Sequence, residues 1–138
     1  MGHSEFEHKE QVSERFRRYS CSPVHQGAVE GAQGKALGVG SCGDTVEMTV
    51  RLEGSTIAAV GHIPTGCVYT VACADAVCAL IEGKSMDEAL LLSPEEVARE
   101  LDGLPEDHLH CARLAVNTLG EAIADAYKSM LKSTIKDG

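Results

Sequence analysis

Apolar and polar residues alternate without a break from Thr45 to Glu53, with Val46, Met48, Val50 and Leu52 on one face and Thr45, Glu47, Thr49 and Arg51 on the other. A period of two predicts a strand buried on one side only. Gly54-Ser55 reads as a two-residue hairpin turn, and Thr56 to Ile63 returns as a second strand with Ile57, Ala59 and Ile63 inward. Pro64 is expected to stop it. From Val68 the period lengthens: Val71, Ala74, Cys78 and Ile81 form a helical stripe that Cys73 and Val77 widen. This predicts a helix from Val68 to Ile81, opened at Gly66-Cys67 and closed by Gly83. So apolar a helix must be buried, which makes Cys73 and Cys78 small core residues.

The remaining elements are predicted by stripes and caps. Ser4 to Tyr19 reads as a charge-dense helix whose only apolar stripe is Val12, Phe16 and Tyr19, thin enough to pack weakly and to fray or move. Ser20 to Gly40 is rich in glycine and reads as irregular, with a short strand at Lys35 to Val39. Ser85 with Glu88 spells a capping box for a short helix to Leu92, and Ser93-Pro94-Glu95-Glu96 repeats that logic. Gly103-Leu104-Pro105 ends this second helix. A last helix runs from about Asp107 to Met130, with Ala112, Ala115, Val116, Leu119, Ala122, Ile123, Ala126 and Tyr127 inward, before a frayed tail at 131–138. Residues 1–138 are thus expected to form one α+β domain, a small antiparallel three-stranded sheet with helices on one face. Segregated strands and helices argue against a dinucleotide-binding fold.

Composition narrows the class. At 138 residues the chain can bury a core without staples. No apolar run approaches the roughly 18 residues of a membrane helix, and the charged first twenty residues do not resemble a secretory signal, so a cytoplasmic protein with no membrane partner is expected. Tryptophan is absent and the net charge is −9, which disfavours nucleic acid. Nine acids lie between Glu82 and Asp107 against only Lys84 and Arg99, a solvated face or a surface for a basic partner.

Six cysteines are too few for a disulfide scaffold and, in a reducing compartment, point to metal binding, catalysis or packing. Cys21 and His25 have a ligand-like spacing but no matching second pair, and read as incidental. Cys42, Cys67 and Cys111 differ, because each stands at the end of an element. Cys42 lies in Gly40-Ser41-Cys42-Gly43-Asp44 just before the first long strand, Cys67 just after its hairpin partner, and Cys111 beside His110 in the first turn of the last helix. The start of one hairpin strand and the end of the other share an end of the sheet, so Cys42 and Cys67 should be neighbours. Helix starts favour thiolates. Three thiolates with Asp44 or His110 as a fourth ligand suit zinc or an iron–sulfur cluster. Against this stands the possibility that each thiol is simply a small buried side chain.

Ser41-Cys42-Gly43-Asp44, Thr65-Gly66-Cys67 and Leu109-His110-Cys111, in this order and at these intervals, resemble the scaffold proteins of iron–sulfur cluster assembly, the IscU proteins and the N-terminal domain of NifU. The likeness runs from about Arg18 to Tyr127 and takes in Gly83 to Leu90. It implies a non-enzymatic scaffold on which iron and sulfur from a cysteine desulfurase form a labile [2Fe–2S] cluster for transfer to apo-proteins. The matching ligands would be Cys42, Cys67 and Cys111, with Asp44 making the cluster labile and His110 beside the third cysteine. Zinc could occupy the same site, and a cluster bridging two copies would make a homodimer. A related alternative is a zinc-binding sulfur acceptor for a desulfurase.

Two departures from the family pattern stand out. Where the family commonly has Leu-Pro-Pro-Val-Lys, gripped by an Hsp70-type chaperone, this chain has Leu104-Pro105-Glu106-Asp107-His108. Leu104 and Pro105 remain as candidate partner-binding residues, but the acids that follow argue against that chaperone. The run after Cys67 is also bulkier than the family's serine- and glycine-rich one. It includes Cys73, a turn and a half of helix beyond Cys67 and so expected to point elsewhere.

Overall fold

A computed structural model describes residues 13–137, with side chains as far as Lys132. The part of the expected first helix at 4–12 and the tail side chains past Lys132 lie outside the described residues. The elements are α1 (Glu14–Cys21), β1 (Gly34–Val39), β2 (Thr45–Glu53), β3 (Thr56–Thr65), α2 (Val68–Ile81), α3 (Met86–Leu90), α4 (Pro94–Glu100), a 3-10 turn (Glu106–His108) and α5 (Leu109–Asp137). The backbone of α5 thus continues beyond Met130 through the segment expected as tail.

The sheet has the order β1-β2-β3 and is antiparallel throughout. Val46, Met48, Val50 and Leu52 are all buried, as their alternation predicts. The return strand differs from expectation. Leu52 pairs with Ile57 but Arg51 pairs with Ala59, so Ala58 is an extra residue and the phase changes. Ile57, Val60 and His62 therefore face inward, Ala59 is only partly covered, and Ile63 is 42% exposed. Nor does Pro64 end the strand. It pairs opposite Val46, and Thr65 opposite Thr45, which an edge strand such as β3 tolerates.

Helices cover one face. α5 packs across β1 and β2, α2 against β3 and α5, and α1 against α2. Met48, Ile57, Val77, Ile81, Leu119 and Ile123 fill the space between, together with the buried Cys73 and Cys78. Two glycines of β1 let α5 come close. A Cβ on Gly34 would lie 2.5 Å from the backbone nitrogen of Ala126, and one on Gly38 would run into the Thr118 hydroxyl. Ala126 rather than Tyr127 meets the sheet, so Tyr127, expected inward, is 44% exposed. Both capping boxes, Ser85–Glu88 and Ser93–Glu96, are formed.

The loop before β1 is anchored by a buried carboxylate. Asp75 on α2 accepts from the backbone N–H of Val24 (3.2 Å) and of His25 (2.8 Å) and lies 2.8 Å from Nε2 of buried His62. Burial alone would raise its pKa, but these partners outweigh it and hold the carboxyl below its ordinary value. His25 also meets Glu82 at 3.0 Å, while Cys21 is exposed. No helix among the described residues is long and apolar enough to cross a membrane.

Candidate metal centre

The Thr45–Thr65 pairing puts the start of β2 and the end of β3 side by side, and α2 begins three residues later. Before β2 the chain turns tightly. Gly40 N–H donates to the Asp44 carbonyl at 2.7 Å, and Gly43 takes φ +92°, a value suited to glycine. This presents Cys42 to solvent and turns Asp44 toward the start of α2. Cys67 is the N-cap of α2, and Cys111 enters from the first turn of α5.

These side chains meet at one end of the molecule. Cys42 Sγ lies 3.3 Å from His110 Nε2, which is 3.6 Å from Cys111 Sγ. Cys67 Sγ lies 4.0 Å from Asp44 Oδ2. Thr70, three residues into α2, joins the two halves. Its hydroxyl donates to Asp44 in a short hydrogen bond and lies 3.7 Å from Cys67 Sγ and 3.8 Å from Cys111 Sγ. Gly66 makes room for this arrangement, since a Cβ there would lie 2.7 Å from Asp44 Cγ and 2.9 Å from the Thr70 hydroxyl.

The thiols are not equivalent. Cys42 and Cys67 are exposed, whereas Cys111 is 1% exposed and belongs to the core. Burial works against the Cys67 thiolate, but hydrogen bonding from Thr70 and from the Tyr69 amide outweighs it and lowers the pKa. That is the effect expected at a helix N-terminus. Burial pushes the Cys111 thiol up to about 11. Cys73, buried one layer deeper, is raised further and is inert as a nucleophile.

One group of potential ligand atoms among the described residues is close enough for a single ion. It comprises Cys67, His108 and Cys111, whose ligand atoms all lie within 4.8 Å of one another. Cys42, Asp44 and His110 surround this group without belonging to it. His108 is the residue that sequence reasoning passed over, noting it only as a departure. Its imidazole stacks on Tyr69 at 3.8 Å and 15°, and Tyr69 in turn rests against Phe16 of α1 at 5.2 Å. The signal was present in the spacing His108-x-x-Cys111, which places both residues on one side of a helical turn. Thr70 was missed likewise, three residues beyond Cys67. Of the candidate partner-binding pair, Leu104 packs partly against the core and Pro105 is exposed.

Comparison with known proteins supplies a family context. The profile of the NifU-like N-terminal domain matches residues 8–133. An iron–sulfur cluster assembly scaffold protein IscU from Aquifex aeolicus is 32% identical over 123 residues, covering 87% of this chain and 76% of its own. The nitrogen fixation protein NifU of Azotobacter chroococcum is 31% identical over 116 residues, 82% of this chain but only 38% of that longer protein. Among solved structures, one described as a scaffold protein for the SUF system of Fervidobacterium islandicum superposes with a TM-score of 0.68. It is 24% identical and covers 80% of this chain and 95% of its own. That likeness concerns the fold.

Proposed function

Because the chain belongs to the NifU N-terminal and IscU family of iron–sulfur cluster assembly scaffolds, we propose that it assembles a labile [2Fe–2S] cluster on Cys42, Cys67 and Cys111, with Asp44 as an oxygen ligand and His110 at the rim. The observation that carries this is the gathering of all five side chains at one end of the sheet, linked through Thr70. Two of the thiols are exposed, so the site is open to incoming iron and sulfur and to an acceptor.

The ligand chemistry fits a cargo that must leave. Thiolates bind iron strongly, whereas a carboxylate is a harder and more easily exchanged ligand. The hydrogen bonds that lower the Cys67 pKa favour its thiolate, and the buried Cys111 becomes a ligand once a metal ion replaces its proton. On this proposal the protein is a carrier rather than an enzyme. A cysteine desulfurase supplies sulfur, apo iron–sulfur proteins receive the cluster, and a reducing cytoplasm keeps the cysteines free. A cluster shared between two copies remains compatible with two exposed thiols per chain.

Anaerobic reconstitution with iron and sulfide tests the proposal. The parent protein should take up iron and sulfide in equal amounts and show visible charge-transfer absorption. Cys42→Ser, Cys67→Ser and Cys111→Ser should each lose it. Reconstitution of all three like the parent would overturn the assignment.

A second reading is favoured by the closely spaced Cys67, His108 and Cys111. Two sulfurs and a nitrogen also suit zinc, as in a zinc-binding sulfur acceptor for a desulfurase. Metal analysis of protein purified without air separates the two: iron with sulfide supports the scaffold, and stoichiometric zinc without sulfide supports the acceptor.

A further inference from the structure

We propose that His108 is a metal ligand, and that a single divalent ion entering the site is held by Cys67, His108 and Cys111 while Cys42 stays outside its coordination sphere. This rests on the scaffold reading above and deepens it, because it separates where the first ion sits from where the finished cluster is bound.

The geometry of the donors comes first. Zinc holds sulfur at about 2.3 Å and nitrogen at about 2.0 Å in a tetrahedron, which puts ligand atoms about 3.6–3.8 Å apart. The three ligand atoms already lie within 4.8 Å of one another. Closing onto an ion therefore needs movements of about 1 Å, within the reach of side-chain adjustment. Among the described residues no such grouping includes Cys42, Asp44 or His110.

The surroundings of His108 point the same way. Its ring, carried by the last residue of the 3-10 turn before α5, stacks on the Tyr69 face at 3.8 Å, which orients it before any ion arrives. Its Nδ1 is buried with no hydrogen-bond partner, a deficit that coordination through Nδ1 would relieve. The neighbouring carboxylate, Asp107, is exposed and its nearest oxygen is 4.0 Å from Nε2. That contact is too long to satisfy the ring.

The other donors are engaged elsewhere. His110 Nε2 lies between Cys42 Sγ at 3.3 Å and Cys111 Sγ at 3.6 Å, and so holds Cys42 to the side. The Asp44 carboxylate accepts the Thr70 hydroxyl. Two thiolates and a neutral imidazole around a divalent ion sum to zero charge, which suits a site whose third member, Cys111, is buried. Recruiting Cys42 as well would leave a net negative charge there. A fourth position stays open for water, which adds no charge.

The test uses the full-length metal-free chain and zinc, measured by competition with a chromophoric chelator, and cobalt(II) as a spectroscopic probe. His108→Phe keeps a ring to stack on Tyr69 but removes both nitrogens. It should weaken zinc binding by at least about 10-fold, the smaller loss expected even for an outer-shell partner. His108→Gln serves as a second variant, and both should keep the parent's circular dichroism. Cys42→Ser should bind zinc within about twofold of the parent, and its cobalt(II) charge-transfer intensity should be unchanged. In zinc-loaded parent protein, iodoacetamide should label Cys42 and spare Cys67 and Cys111. The inference is overturned if both His108 variants bind zinc like the parent, or if zinc protects Cys42 as fully as Cys67. Should either occur while the parent still reconstitutes a cluster, the scaffold reading stands and only the role of His108 falls. A parent that binds neither zinc nor a cluster overturns both.

Discussion

Cys42 Sγ and His110 Nε2 lie 3.3 Å apart, although one belongs to the turn before β2 and the other to the start of α5. That contact extends a chain of side-chain contacts running from Cys42 through His110, Cys111 and Thr70 to Asp44 and Cys67. The chain of contacts brings together three separate segments: the β2–β3 hairpin with its entry turn, the start of α2 and the start of α5. Rigid elements therefore set the distances between donors, while the donors themselves sit at element ends where ligands can enter.

The thiols of the metal-free protein should differ in reactivity. Hydrogen bonds to Cys67 favour its thiolate, whereas burial lifts Cys111 to about 11. At neutral pH iodoacetamide should modify Cys67 well before Cys111, as followed by peptide mass spectrometry. Equal rates would show that the two environments are not as described.

Gly66 should tolerate no side chain without disturbing Asp44. In Gly66→Ala the new Cβ would lie 2.7 Å from Asp44 Cγ and must push the carboxylate away from Thr70. A thermal melt should show a loss of roughly 1–3 kcal/mol, typical of an overpacked site. Any reconstituted cluster should behave as it does in Asp44→Ala. A variant with parental stability and cluster lifetime would contradict this close approach.

Asp75 should make stability depend on acid pH. Its folded-state pKa is depressed, so the stabilisation is fully present above the unfolded value of about 3.9. It is lost as pH falls through the lower folded value. Denaturant midpoints should therefore decline below about pH 4 in the parent. Asp75→Ala, which leaves buried His62 without its partner, should cost about 3–5 kcal/mol at neutral pH. A parent and variant of equal stability at pH 7 would remove the pair from the folding account.

Much of the architecture was legible because period and caps agreed. The alternation from Thr45 to Glu53, the stripe from Val68 to Ile81 and the two serine caps all appear as elements where the pattern put them. The phase of β3 was not legible, since one extra residue at Ala58 reverses which side chains face in and nothing local marks it. The glycines at 34 and 38 looked like loop signals but serve a strand lying close under α5. At the site, element ends pointed to Cys42, Asp44, Cys67, His110 and Cys111. Thr70 and His108 each stand three residues from a site cysteine, a spacing too common to single them out, and only their packing in the fold shows that they belong to the site.

The role proposed for Asp44, an oxygen ligand that lets the bound cluster leave, is tested by measuring cluster transfer. Reconstituted parent protein and Asp44→Ala should be mixed anaerobically with a metal-free ferredoxin, and the acceptor's circular dichroism followed as it acquires a cluster. The parent should deliver its cluster to the acceptor, and Asp44→Ala should retain its cluster and deliver it several-fold more slowly. Equal transfer rates from the two proteins would contradict the account.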